Sequence, residues 1–393
     1  MSLLSVVSNS LSGFRAFTKT LDNLSHNVAN MNSPGYKKQD SYFRELNDNQ
    51  TGDGVRFSGS ATRFTQGDIY STGQDTNLAI DGAGFFIIEN NGKLLYTRAG
   101  QFEFNEDKLV DVSSGGSIMA LAESGELVEI DISTWQVSQS EPTTEVELSG
   151  NLSSLSTTGT EFPLNTDTPA EFQVYDSQGE AHTLTITYTK EPEGDWRADV
   201  RNFNDEIIGT GLLRFTSAGS PMADSNSFAF ELVSEGGVSQ SILVNAGEPG
   251  EFSGLTSFPS QTNGISAENR DGRGVGALLS ATFNEQGGLV LSYTNGASEE
   301  PYEIALAYFK DNSVLQGLTD SVFSAESSPQ VIATADESIV GNIRTQSLER
   351  SNVDVTDEFS EIIIIQRGYQ ACSQVLSVSS EMLEELYNSS RGR

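Results

Sequence analysis

The side chains that most often carry chemistry are scarce in this 393-residue chain, which has two histidines and one cysteine. His26 falls in the polar part of a predicted N-terminal helix and His182 in a strand after a turn. A histidine-based metal centre is not expected from such a pair. Cys372 alone excludes an intramolecular disulfide framework and a multi-cysteine zinc site. It lies on the apolar stripe of a predicted C-terminal helix, where it reads as a small buried hydrophobe. Asp81-Gly82-Ala83-Gly84 has the look of a phosphate loop but leads into Phe85-Phe86-Ile87-Ile88, a strand rather than a helix. Gly272 to Ala277 fits a dinucleotide fingerprint by letter, yet no strand precedes it and a β pattern follows. With 55 acidic residues some carboxylates must fall close together. Glu89, Asp111, Glu171 and Asp176 sit in predicted turns and strand edges, and two acids without assigned roles do not make a glycosidase. The reading is of a protein that is not an enzyme, with no catalytic residue, cofactor or metal.

The charge balance narrows the partners. Twenty-two basic against 55 acidic residues leave a net charge of −33, which repels nucleic acid and anionic lipid alike. No run of 18 apolar residues occurs, so no helical membrane insertion is expected. The start lacks a basic n-region, which argues against a cleaved signal peptide. The length suggests two or three domains.

The elements that could position an interaction surface lie at the two ends. Over residues 3–30, Val7, Phe14, Leu21 and Val28 repeat every seven, with Leu4, Leu11, Phe17 and Leu24 on the same side. Pro34 and Gly35 follow and stop the helix. Over 355–387, Ile362, Tyr369, Leu376 and Leu383 form one series. Ile365, Cys372, Ser379 and Leu386 form a second, offset by three, with Val355 and Phe359 upstream. Asn352 or Asp354 is the expected N-cap. Residues 1–44 carry a net charge of +3, so the negative charge lies elsewhere.

Between the helices the pattern is β throughout. Short alternating runs at 85–88, 94–96, 101–104 and 108–110 are punctuated by Asn90-Asn91-Gly92 and Asn105-Glu106-Asp107, which are hairpin signals. Further strands are predicted at 170–175, 182–188, 194–201, 207–215, 227–233, 240–244, 278–283, 288–293 and 302–309. The fold class is therefore mainly β with an α-helical terminal stem. The terminal helices are expected to pair as a coiled-coil-like inner domain, formed by 1–30 plus 355–393. Connecting segments follow at 31–70 plus 335–354. A β-rich middle domain takes 71–144 plus 277–334, and a second β-rich outer domain, 145–276, is inserted in it.

Five motifs in order resemble those of the bacterial flagellar rod and hook protein family. The first runs through Asn27, Ala29, Asn30, Pro34, Gly35 and Tyr36. The second is Gln66-Gly67 with Leu78-Ala79-Ile80-Asp81-Gly82-Ala83-Gly84-Phe85-Phe86. The third is Tyr96-Thr97-Arg98-Ala99-Gly100-Gln101-Phe102. The fourth and fifth are Leu348-Glu349-Arg350-Ser351-Asn352-Val353-Asp354 and Gln366-Arg367-Gly368-Tyr369-Gln370-Ala371. Length and the block Tyr175 to Leu184 favour the hook branch. The distal rod protein of the basal body is the alternative, and an unrelated secreted surface β protein a remote one. Gly368 departs from the usual Ala, and Cys372 from a small polar residue.

The resemblance implies a structural subunit of the flagellum, outside the cell and continuous with the basal body. Subunits of this kind leave through the flagellar type III export apparatus without a cleaved signal. They polymerise with themselves into a curved, hollow, open helical tube. The tube links rod to filament and transmits torque as a universal joint. The implied partners are a hook cap protein, the distal rod protein and the hook–filament junction protein. The polymerisation interface is expected on Leu4, Val7, Leu11, Phe14, Leu21, Leu24, Val28, Phe359, Ile362, Ile365, Tyr369, Cys372, Leu376, Leu383 and Leu386. The helices are expected to order only on assembly, because neither has an obvious home on the β body.

Overall fold

A computed structural model describes residues 3–48, 51–122, 124–162, 171–234, 237–260, 262–269, 271–319, 321–335 and 339–391. The side chain of Leu4, the strand start at Ala170 and the terminal residues 1–2 and 392–393 lie outside the described residues. The chain is mainly β with one long helix at each end: α1 is Leu3–Ala29 and α2 is Val355–Arg391. At 1.5 Å per residue they are about 40 and 55 Å long. By packing, the chain divides into two compact units.

The first unit comprises Met1–Thr134, Ala281–Leu291 and Glu299–Arg393. Its core is aromatic, with Phe85, Tyr96, Phe309 and Phe323 buried and Phe64 packed against them. Ring pairs meet edge-on, Tyr96 with Phe309 at 4.8 Å and Phe64 with Phe85 at 5.7 Å, the geometry that ring quadrupoles favour. Strand Phe85–Asn90 turns antiparallel into Lys93–Thr97, with Asn91 and Gly92 both at positive φ as a two-residue hairpin turn requires. Two short ladders then bring the ends of the chain side by side. Ile69–Ser71 pairs with Ser347–Glu349, and Leu78–Asp81 pairs with Asn342–Thr345, both antiparallel.

Several strands of this unit lie outside the predicted runs, and the longest of them form a hairpin. Within the segment read as a connection, Gln39–Asp48 (β1) and Thr51–Thr62 (β2) form a long antiparallel hairpin. It packs along α1, with Asn23 Nδ2 donating to Ser41 Oγ at 2.9 Å and Val55 N donating to Ser12 Oγ at 3.1 Å. The hairpin escapes pattern reading because its inner face meets helix side chains that are themselves small and polar. It therefore carries no run of alternating large hydrophobes for the eye to find. α1 thus has partners within the chain, on the hairpin and on α2.

The second unit comprises Trp135–Ser280 and Ser292–Ser298. Two five-stranded sheets face each other. One is built on Ser227–Val233, Ser239–Asn245, Glu145–Asn151 and Gly264–Asn269, the other on Glu171–Tyr175, Ala181–Lys190, Trp196–Arg201 and Ile207–Leu213. Alternate residues point inward, as period-two burial in Ala181–Lys190 shows. The core joins Val146, Leu148, Leu184, Ile186, Tyr188, Trp196, Phe230 and Ile242. Trp196 is fully buried, with Lys190 Nζ 4.9 Å from its ring centroid. Truncating it leaves a large void, so Trp196→Ala should cost about 3–5 kcal/mol, read as a lower urea midpoint.

Candidate assembly interface and the junction that positions it

The candidate functional surface of this chain is its terminal helix pair, together with the junction that positions it. The helix pair is antiparallel. Phe14 stacks on Tyr369 with ring centroids 4.4 Å apart. A Cβ on residue 13 would lie 3.1 Å from Cys372 Sγ, and one on residue 368 would come within 2.7 Å of the Phe17 ring. Both departures in the last motif thereby find a reason. Gly368 makes room for Phe17, and Cys372 fills the space that Gly13 leaves open.

The expected stripe on α1 is rotated from the face that is buried. The buried positions are Ser10, Gly13, Ala16, Thr20, Leu24 and Asn27. Val7, Phe14, Leu21 and Val28 are half-buried on the shoulders, and Leu11 is 40% exposed. The reason is that α1 lies between α2 and the hairpin. Close approach on two sides selects small residues for the centre, and the larger apolar ones flank them. On α2 the α1-facing line is Glu358, Ile362, Ile365, Gly368, Cys372, Leu376 and Ser379, all buried or half-buried. Tyr369 reaches Phe14 from its edge at 38% exposure. Phe359, Leu383 and Leu386 are exposed, together with Ile363, Ile364, Val375, Val378 and Met382. Apolar residues therefore cover more of α2 than α1 can bury. Carried to the start of α1, the register sets Leu3 opposite Met382, so the last turns of α2 run past its partner.

The geometry of the helix pair is set by a polar junction at its other end, where the motif residues converge. Glu349 is fully buried. Its Oε1 accepts from Lys37 Nζ at 2.5 Å and from Gly67 N at 2.7 Å, and its Oε2 accepts from Arg98 at 3.3 Å. Lys37 also donates to Thr65 O at 2.9 Å and Arg98 to Gly82 O at 2.7 Å. Beside it, Lys38 forms an ion pair with the fully buried Glu358 on α2. Asn27 links helix to helix: its amide donates to Glu358 Oε2 and Gln39 O, both at 3.1 Å. Its carbonyl accepts from Tyr36 Oη at 3.2 Å and Gln39 N at 3.0 Å. Every donor and acceptor of that side chain is used, as burial demands.

Two cations share one carboxylate here, and burial dominates their titration. Desolvation pushes the Lys37 ammonium and the Arg98 guanidinium down, with Glu349 opposing in each case. Burial, and then Glu358, push the Tyr36 phenol up. Lys37 and Lys38 contribute to the net positive charge of residues 1–44, yet both are interior, and in the sequence only their place directly after the first motif signals it.

Other motif residues serve the same junction. Asn352 does not cap α2. It donates to Arg63 O, Thr65 O and Thr65 Oγ1 and accepts from Lys38 N, tying three stretches of chain together. Asp354 is the N-cap, its Oδ1 accepting from Thr356 N at 2.7 Å and Asp357 N at 3.3 Å. Ser351 Oγ accepts from Val353 N at 3.3 Å. Thr97 Oγ1 donates to Ser321 O and accepts from Ala99 N, both at 3.0 Å. Gly35 and Gly100 admit no side chain, since a Cβ would lie 2.2 Å from Ala99 N and 1.6 Å from Leu78 O respectively. Gly82 and Gly84 pack against the Val340–Gly341 backbone. Asn30 donates to His26 O at the helix end, beside half-buried Pro34. Ala29, Asp81, Gln366 and Arg367 stay on the surface, Asp81 paired with Arg344 at 3.2 Å.

Three stretches match known flagellar families. Residues 79–153 match the flagellar hook protein FlgE/F/G D1 domain, and 344–389 match the flagellar basal body rod FlgEFG protein C-terminal region. Residues 151–356, more than half the chain, match the flagellar basal body protein FlaE D2 domain. The chain belongs to the flagellar hook protein family. The flagellar hook protein FlgE of Escherichia coli K12 is 28% identical over 408 residues, covering 97% of this chain and 99% of that protein. That of Brucella suis is 28% identical over 412 residues and covers both chains fully. The crystal structure of Helicobacter pylori flagellar hook protein FlgE2 aligns at a TM-score of 0.47 and 12% identity, covering 71% of this chain and 100% of that one. Hook family members are structural parts of the flagellum, and theirs is not an enzyme class.

Two outcomes test the junction in this hook family chain. Glu349→Gln leaves Lys37 and Arg98 buried without a counter-ion and should cost about 3–5 kcal/mol in urea unfolding. Asp81→Asn, which removes an exposed partner of Arg344, should cost under ~1 kcal/mol. The cap is pH-dependent. The N–H groups of Thr356 and Asp357 hold the Asp354 carboxyl below its usual range. Its contribution is therefore present above about pH 3.9 and lost as pH falls through the lower folded-state value. Asp354→Asn keeps the cap and should abolish that part of the acid-induced loss of helical circular dichroism.

Proposed function

We propose that this protein is the polymerising subunit of the flagellar hook, an open helical tube that joins rod to filament and transmits torque as a universal joint. The observation that carries the reading is the uncovered apolar surface of α2. Ile364 is 66% exposed and Leu386 57%, and they belong to a set extending from Phe359 to the last turns. A helix that is apolar on more than one face is stable in water only when several neighbours cover it. α1 supplies one neighbour, and further copies of the same pair supply the rest. A contact between two different patches need not close, and it generates an open helix of subunits.

In this reading α1 and α2 form a coiled-coil-like inner wall, and β-rich modules are carried outside it. Residues 145–276 form an outer module inserted in a middle domain of 71–144 plus 277–334. The boundaries of the second packed unit near Trp135 and Ser280 support that division. Binding of a cap protein, of rod and junction proteins and of the flagellar type III export apparatus follows from the family. A single cysteine, leaving no internal disulfide to form, suits passage as an unfolded chain.

Leu386→Asp tests the reading with little risk to the subunit, because the side chain is exposed before assembly. The variant should keep the monomer's circular dichroism and thermal midpoint while losing tubes in electron micrographs of polymer grown from purified subunit. Normal tubes from the variant would mean that this surface stays in water.

A further inference from the structure

The hairpin beside α1 carries an arrangement that costs free energy in the isolated chain. Arg44 and Arg56 are direct cross-strand partners in the β1–β2 ladder. Like charges in that position repel. Both are exposed, and among the described residues neither has an ion-pair partner. In a chain of net charge −33 an unneutralised arginine pair stands out. Exposed Tyr42, Phe43 and Leu46 lie next to it.

A complementary arrangement lies at the far end of α2. Glu381, Glu384 and Glu385 share one face at i, i+3 and i+4, a spacing at which like charges also repel. All three are exposed, and among the described residues none has an ion-pair partner. Exposed Met382 and Leu386 flank them.

The two sets do not meet within one chain. Val55, next to Arg56, is tied to Ser12 on α1, and the neighbouring Gly13 faces Cys372 on α2. Glu384 is twelve residues beyond Cys372, about 18 Å further along the helix axis, far outside the ~4 Å of an ion pair. Contact between them requires a second copy of the chain, displaced along that axis.

We propose that the Arg44–Arg56 rung of one subunit docks on the Glu381, Glu384 and Glu385 face of α2 in a second copy. The inference rests on the polymer reading above and names a contact within it. Each repulsive set neutralises the other, and the apolar residues beside them are covered in the same step. Because the two patches differ, the contact is head-to-tail and repeats without closing. Its strength falls with salt, unlike that of the apolar helix contacts.

Reciprocal charge exchange in the full-length chain tests the contact. R44E/R56E and E384R/E385R should each raise the critical concentration for polymerisation about tenfold in low salt, as two or three exposed ion pairs would. The rise should shrink toward none near ~1 M salt, where screening reduces the Debye length to about 3 Å. The combined variant, carrying both exchanges, should return to within a few-fold of the unaltered chain. Circular dichroism and thermal midpoints of the four monomers check that each is folded. Unchanged critical concentrations in the two parent variants would overturn the proposal while leaving the polymer reading intact. A combined variant as poor as its parents would overturn the pairing in the same way. Failure of the unaltered chain to polymerise would sink the polymer reading, and this contact with it.

Discussion

Taking Glu349, Lys37 and Arg98 out of water costs several kcal/mol for each ion, and their mutual attraction offsets that cost only if geometry and hydrogen bonds are complete. At this junction they nearly are, since both Glu349 oxygens are engaged and Lys37 and Arg98 each hold a second acceptor in a backbone carbonyl. A buried ion cluster of this kind is poor support for stability as such, because well-packed apolar residues of similar volume often do as well or better. What an apolar substitute lacks is direction. The charges fix which residue of the N-terminal arm meets which residue of the C-terminal arm, and the chain needs that at the one place where residues 27–38 and 349–358 cross. Everything downstream on the helix pair inherits its register from there.

That inheritance explains why the helix contact itself can be so undemanding. Ser10, Gly13, Ala16 and Thr20 offer little apolar area. A face of small residues allows close approach but would tolerate sliding by a turn. With Asn27 bonded to Glu358, and Lys38 paired with the same carboxylate, sliding breaks interior polar contacts at once. The helices are thus positioned by polar groups at one end and packed closely through small residues along their length. Their larger apolar side chains are left at the shoulders and on the outer faces. That division suits the proposed assembly through the helices, since residues committed to the intramolecular contact are unavailable to neighbours.

The β units show the opposite balance. Their cores are large aromatic and branched side chains whose alternation is written plainly in the sequence, and each predicted run lies on or beside an observed strand, though Ser117–Ala122, Glu145–Asn151 and Gly264–Asn269 are strands outside every predicted run. Turn chemistry was equally readable at Asn91-Gly92, where positive φ at both positions is a local demand of the hairpin. The long β1–β2 hairpin was not readable, because its partner is a helix face of small polar residues.

By itself the sequence determined the class of protein, the two terminal helices, the β-rich middle and the family motifs. Each of these is a matter of local period, local turn chemistry or residue identity, and each survives without knowledge of the rest of the chain. Only the tertiary structure decided that Lys37 and Lys38 are interior, that Asp354 rather than Asn352 caps α2, and that the buried face of α1 is its small-residue line rather than its heptad of large ones. Those facts depend on groups more than 300 residues away, such as Glu349 and Glu358, and on which of two neighbours approaches a helix more closely. Periodicity records how apolar a face is. It does not record what packs against that face, or how near.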